Sequence, residues 1–208
     1  MIENPMLSYI EPYASSTCEM IAEVLQYFSD DIKLEAREAD CIYAGILIDT
    51  NNFMTKTGVR TFEAAAYLRR CGAEVTRVRK LLRDDMSAYK ARAEVVRHAE
   101  VYRKAFAISA CYPDQLESPT VVAAQAANEL LNIVGIKASF VLTDYQGKIF
   151  VSSRSIDEIN VQLIMERLGG GGHSNVAGAQ LTNCDIEEAK RMIERTLDEM
   201  IEEGEIEI

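Results

Sequence analysis

Histidine is scarce in this sequence: His98 and His173 are the two among 208 residues. A hydrolytic centre holding two divalent ions wants several imidazoles and carboxylates converging on ions about 4 Å apart, and two distant histidines cannot furnish that set. Positive charge is short as well. Against 33 Asp+Glu stand 22 Lys+Arg, a formal net of −11, which argues against a broad electrostatic footprint for a nucleic-acid duplex. An aromatic-plus-basic stripe of the kind that stacks single strands is also missing. The five cysteines, Cys18, Cys41, Cys71, Cys111 and Cys184, form no C-x-x-C pair and are expected as buried free thiols in a reducing compartment. No apolar run approaches the roughly 20 residues of a membrane helix, and there is no signal peptide, internal repeat or low-complexity segment. The expectation is a soluble, cytoplasmic chain without membrane contact.

What is present is a 48% hydrophobic chain whose length suits two lobes with cores of their own. "ASSTCEMIAEVLQYF" opens on a capping box, with Ser16 accepting from the amide of Glu19 and Glu19 reaching back, and predicts a helix with apolar face Met20, Val24, Leu25 and Phe28. "EAREADCIYAGILIDTNNF" predicts a second helix, with face Ala39, Ile42, Tyr43 and Ile46, ending near Asp49. A third, "RTFEAAAYLRRCGAEV", is closed by Gly72. Residues 75–104 are charged and read as a helical arm. Beyond it, "KAFAISACY" predicts a strand, "SPTVVAAQAANELLNIVG" a helix, "KASFVLTDYQGKIFVSSRS" a hairpin turning at Tyr145–Gly147, "IDEINVQLIMERLGGGGH" a helix, "AGAQLT" a strand and "DIEEAKRMIERTLDEMIEE" the closing helix. The acidic end "EEGEIEI" is expected to fray. The fold class is α/β: a mostly helical part over 1–74, the arm over 75–104, and a small α/β domain with a mixed sheet over 105–208.

Three places stand out chemically. The glycine run before His173 fits neither a dinucleotide fingerprint, since a helix precedes it, nor a P-loop, since Ala179 stands where a lysine is needed. It can still form an anion-binding concavity of bare amides with His173 as an added donor, against the plainer reading of a flexible turn. Arg154, between Ser153 and Ser155, carries a planar fork suited to phosphate, although an arginine there is more often simply solvated. Asp49 is either a helix-end residue or a carboxylate at the floor of a metal-binding cleft.

The stretches "YIEPYASSTCEMIAEVLQYF", "GILIDTNNFMTKTGVRTFEAAAYLR" and "SSRSIDEINVQLIMERLGGGGHSNVAGAQL" resemble, in order, segments of the DHH phosphoesterase superfamily with its associated C-terminal domain, and in particular its bacterial cyclic-di-AMP phosphodiesterase branch. The resemblance implies Asp49 as a manganese ligand in a two-ion site, and Gly170, Gly171, Gly172 and His173 as the motif that binds substrate phosphate and nucleotide. It further implies that Arg154, with Ser155, grips a phosphate, and that a metal-activated hydroxide attacks phosphorus to give a linear dinucleotide. The superfamily's Asp-His-His triplet is missing here. The chain is therefore expected to be a piece of a longer enzyme, itself inactive, whose parent carries the front half of the DHH domain and a membrane anchor. A cyclic or short linear dinucleotide is the implied partner, and the exposed apolar helix faces are expected either to self-associate, as in a homodimer, or to leave that lobe partly mobile. An oligonucleotide-binding or RecJ-like exonuclease module is the second reading, and a bare oligomerisation lobe the third.

Overall fold

The computed structural model describes residues 6–28, 33–112, 116–156 and 158–208. Asp157, inside the stretch "IDEINVQLIMERLGGGGH" expected as a helix, lies outside the described residues. The chain divides into two compact units, Met1–Arg83 and Asp84–Ile208.

The first unit is built from α1 (Thr17–Phe28), α2 (Ala36–Asp49), α3 (Val59–Arg70) and α4 (Val75–Leu81). Its core is made largely of small side chains, Ala22, Ala39, Ala64 and Ala65, around Ile46, Leu68 and Val78. Small residues let helix axes approach, and Gly45 marks the tightest point, where an added Cβ would overlap the Cys18 sulfur. The same economy overturns the expected face of α1. Ala22 is its buried apolar residue, while Val24 and Phe28 are 40% and 70% exposed. Ser16 Oγ does accept from the Glu19 amide at 3.1 Å, but the Glu19 carboxylate turns to the backbone N–H and hydroxyl of Ser15 instead. Gly72 ends α3 as expected, donating to Arg69 O while Ala73 donates to Leu68 O, the bond pair of a Schellman cap. Asp40 on α2 receives both the Glu74 amide, at 2.7 Å, and the Arg77 guanidinium, at 2.6 Å.

That last contact makes a pH prediction. The Arg77 hydrogen bonds hold the Asp40 carboxyl below its ordinary value of 3.8, so the native state favours the charged form. The resulting stabilisation is complete above that ordinary value and is lost as pH falls through the lower folded value. Acid unfolding followed by circular dichroism should begin at higher pH for Arg77→Met than for the parent chain; coincident acid limbs would show that the pair adds nothing.

The second unit carries α5 (Met86–Arg97), β1 (Glu100–Tyr102), β2 (Phe106–Cys111), α6 (Pro119–Leu130), β3 (Ala138–Tyr145), β4 (Lys148–Ser155), α7 (Val161–Arg167), β5 (Gly171–His173), β6 (Val176–Leu181) and α8 (Ile186–Glu202). The charged stretch over 75–104 is thus not helical throughout: α4 belongs to the first unit, and β1 is a short strand on β2. The six strands run in the order β1-β2-β3-β4-β6-β5, with β2 and β3 parallel across α6 and every other pair antiparallel. The β3–β4 hairpin turns through Gln146 and Gly147, both at positive φ, the two-residue loop that matches strand twist.

Alternation along the strands divides their side chains between two faces. One face, Phe106, Ile108, Phe140, Leu142, Ile149 and Val151, is covered by α7 and α8 through Ile164, Met165, Ile193 and Leu197. The acidic end does not fray: Ile206 is 7% exposed and belongs to this core, and Arg167 pairs with Glu203 and Glu205. The other face is covered by α5 and α6 over β2, β3 and part of β4, and Ala107, Cys111 and Val141 there meet Ala123, Ala126 and Ala127. Cys111 is the buried thiol; Cys41 is exposed and Cys18, Cys71 and Cys184 are intermediate, so the expectation of five buried thiols holds for one.

Candidate functional site

The partly open sheet face carries the site. Ser139, Arg154, Val176 and His173 are successive partners across β3, β4, β6 and β5, and directly opposed residues share a face. Ser139 is taken up by α6, its hydroxyl donating to Ala127 O at 2.7 Å. Arg154 and His173 then stand two strands apart, about 10 Å between Cα atoms.

Arg154 is half-buried and, among the described residues, makes one hydrogen bond, from its Nη1 to Ser153 O at 2.8 Å. Among the described residues no carboxylate pairs with it. Burial pushes the guanidinium below its ordinary value, because a charge withdrawn from water without a counter-charge is disfavoured. Such a cation is stabilised by an incoming anion. His173 is exposed at the end of β5.

The four glycines are not equivalent. Gly169, at φ +76, is the left-handed residue that ends α7; its amide donates to Glu166 O and that of Gly170 to Met165 O. A Cβ on Gly170 would overlap the Gly178 carbonyl and the Ala179 backbone. Gly172 lies at φ +149, and a Cβ there would sit 2.5 Å from Ala177 Cα. Gly171 has neither constraint, with no atom within 4 Å of the place a Cβ would take. The run is therefore no free loop. Its first two amides are spent on the helix end, its last two glycines form an edge strand with His173 on β6, and the anion concavity narrows to residues 171–173.

Ser155 sits apart from this group. It alternates to the other face of β4, is buried, and its hydroxyl donates to Ser174 O at 3.3 Å while its amide donates to Asn175 O at 3.1 Å. Val161 N also donates to Ser174 O, at 2.8 Å. These bonds tie the turn that carries His173 to the end of the strand that carries Arg154. The sequence names Ser155 through its neighbour, but its geometry is that of a support.

Asp49 belongs to the first unit, as the last residue of α2, and is exposed. No basic residue stands in that last turn, so its carboxylate faces the negative end of the helix dipole without compensation. Its charge and burial together push the Cys18 thiol up, burial more than charge. The next residues are strained: Asn51, Asn52 and Phe53 are all at positive φ, held by Asn52 N donating to Leu47 O at 2.8 Å and by Phe53 stacking on Phe62 at 5.4 Å. An uncompensated carboxylate on a strained turn suits one oxygen ligand of a hard cation. Among the described residues no three of His, Cys, Asp and Glu gather as a metal cluster, so Asp49 fits a single ligand and not a complete centre. No helix of the described residues is long and apolar enough to cross a membrane.

Comparison with known proteins places these features. Residues 104–203 match the DHHA1 domain family. The chain is 43% identical over 198 residues to the cyclic-di-AMP phosphodiesterase PdeA of Listeria monocytogenes, covering 95% of this chain and 30% of that protein. It is 41% identical over 204 residues to the cyclic-di-AMP phosphodiesterase GdpP of Geobacillus thermodenitrificans, covering 98% and 31%. It thus spans about a third of the length of these curated relatives. In structure it is similar to an exopolyphosphatase-related protein from Bacteroides fragilis, with a TM-score of 0.80 and 22% identity over 94% of this chain and 59% of that one, a likeness of fold. Residues 104–203 are thus a DHHA1 domain, and over nearly its whole length the chain is similar to a third of these cyclic-di-AMP phosphodiesterases.

Proposed function

We propose that this chain is the substrate-holding part of a metal-dependent phosphodiesterase that opens cyclic-di-AMP, or a related cyclic dinucleotide, to its linear product. The observation that carries the reading is Arg154, desolvated and without an acidic partner among the described residues, in one row with His173 on an open sheet face. Arg154 offers two parallel N–H donors to one phosphate, His173 adds a ring N–H, and Gly171 lets the phosphate come close to the edge-strand backbone. The named activity of relatives 41–43% identical supports a cyclic dinucleotide as the ligand. Manganese is the metal proposed for the reaction, with Asp49 as one ligand and the remaining ligands outside the described residues. The exposed apolar side chains of α1, Ile21, Val24 and Phe28, support a covering surface from the rest of a longer protein or from a second copy of this chain.

Titration calorimetry with cyclic-di-AMP and linear diadenylate, with and without manganese, tests the proposal. His173→Ala should weaken linear diadenylate by about 1.5–3 kcal/mol, the worth of a hydrogen bond to a charged group, with an unchanged circular dichroism spectrum. An unaltered Kd would remove His173 from the site. Two tight manganese sites on this chain alone would refute the single-ligand role of Asp49.

A further inference from the structure

A cavity of about 430 Å³ opens in the second unit, lined by Thr120 at the first turn of α6, Phe150 and Ser152 on β4, Gly178 and Gln180 on β6, and Gly170. It adjoins the phosphate row without containing it. The side chains of β4 on this face run Arg154, Ser152, Phe150, and each step of two residues advances about 7 Å. Ser152 is level with Gly178 and Gly171, and Phe150 is level with Gln180. A phosphate held between Arg154 and Gly171 therefore has one further step of the sheet before Phe150, a reach that its own ribose and base can span.

The chemistry at that far step suits a base. Phe150 is half-buried, and its ring leans on Tyr145 at 6.3 Å between centroids, which steadies it as a stacking surface. Gln180 is exposed; its side-chain carbonyl accepts from Lys148 Nζ at 3.3 Å. That contact orients the amide, and its NH₂ donates to no partner among the described residues. A carboxamide is a donor and acceptor side by side, the pattern a purine edge meets.

We infer that this cavity is the base subsite of the nucleotide site, with Phe150 as the stacking platform and Gln180 as the residue that discriminates between purines. The inference rests on Arg154, His173 and Gly171 holding the phosphate. Gln180 then sets a preference that the phosphate cradle, which touches no base, does not.

The test is calorimetry of the 208-residue chain with linear diadenylate and linear diguanylate, on the parent and on Phe150→Ala, Phe150→Tyr, Gln180→Leu and Arg154→Ala. Phe150→Ala should weaken both dinucleotides by about tenfold, and Phe150→Tyr should restore them. Gln180→Leu, at an exposed position, should change the ratio of the two affinities by about tenfold, and it decides the matter if Phe150→Ala does not fold. If Arg154→Ala abolishes binding while Gln180→Leu leaves the ratio and Phe150→Ala the affinities within about twofold, the base subsite is wrong and the phosphate site stands. If the parent chain binds neither dinucleotide, the phosphate site fails and this inference with it.

Discussion

Arg154→Met should cost the chain about 100-fold in affinity for linear diadenylate and leave its thermal stability equal to, or above, that of the parent. Both halves follow from one feature. The guanidinium is half-buried, its one hydrogen bond within the described chain goes to the neighbouring Ser153 carbonyl, and burial disfavours its charged state. Holding an unpaired charge out of water opposes folding, so an unbranched apolar side chain of similar length relieves that cost while covering the same strand. The bound state is opposite in sign. A phosphate that meets Arg154 supplies the missing counter-charge, and truncating one member of a desolvated charge pair typically loses about 2–5 kcal/mol of binding. A structural arginine would behave differently. Its removal would lower Tm and leave ligand affinity alone, so a melting curve and a binding isotherm on the same variant separate the two roles.

The glycine run gives the second large effect, as a contrast between neighbours. Gly172→Ala should destabilise the second unit by about 3 kcal/mol, because an L side chain at φ +149 is strained and its Cβ would press on the Ala177 backbone. Gly171→Ala should leave stability within about 0.5 kcal/mol, since the added methyl meets open space. It should nevertheless weaken nucleotide binding by about tenfold or more, because the methyl fills the place where phosphate approaches the edge strand. Chemical denaturation and calorimetry on both variants check the pair. Equal losses of stability would mean the run is built for packing throughout, and undiminished binding by Gly171→Ala would move the phosphate elsewhere.

Sequence reasoning reaches some of this and stops for identifiable reasons. α2, α3 with its Gly72 cap, and the β3–β4 hairpin are legible because each has a signal of its own: apolar residues at helical spacing, a glycine after the last turn, alternation broken by Gln146-Gly147. The short strands β1 and β5 have no such signal. Three residues are too few for alternation, and β5 is two glycines and a histidine whose extended form comes from pairing with β6. The end of the chain reads as frayed because five of its last seven residues, "EEGEIEI", are acidic or glycine, yet after a Schellman turn at Gly204 Ile206 finds the core, a long-range contact that local composition does not announce.

The site is legible in the same uneven way. Arg154 and His173 are visible as residue types suited to phosphate, but their placement in one row depends on β6 lying between β4 and β5, a long-range pairing. Ser155 looks like part of the arginine's motif, and the strand's alternation sends it to the other face to hold the Ser174–Asn175 turn. Nothing in four identical letters reveals that Gly169 ends a helix, Gly170 and Gly172 make room for β6, and Gly171 alone is free. Phe150 and Gln180 were hidden too, since an aromatic and an amide on alternating strands read as ordinary sheet residues until their level with Arg154 is known.

Phosphate recognition by Arg154 in the DHHA1 domain is tested most directly by calorimetry of linear diadenylate binding to the parent chain and to Arg154→Ala, with no divalent metal present. The terminal phosphate of the linear form carries more charge than the bridging phosphates of the cyclic one, so the linear form should bind the parent chain more tightly, and Arg154→Ala should lose about 100-fold of that affinity. Equal affinity of the two proteins for linear diadenylate would contradict the account.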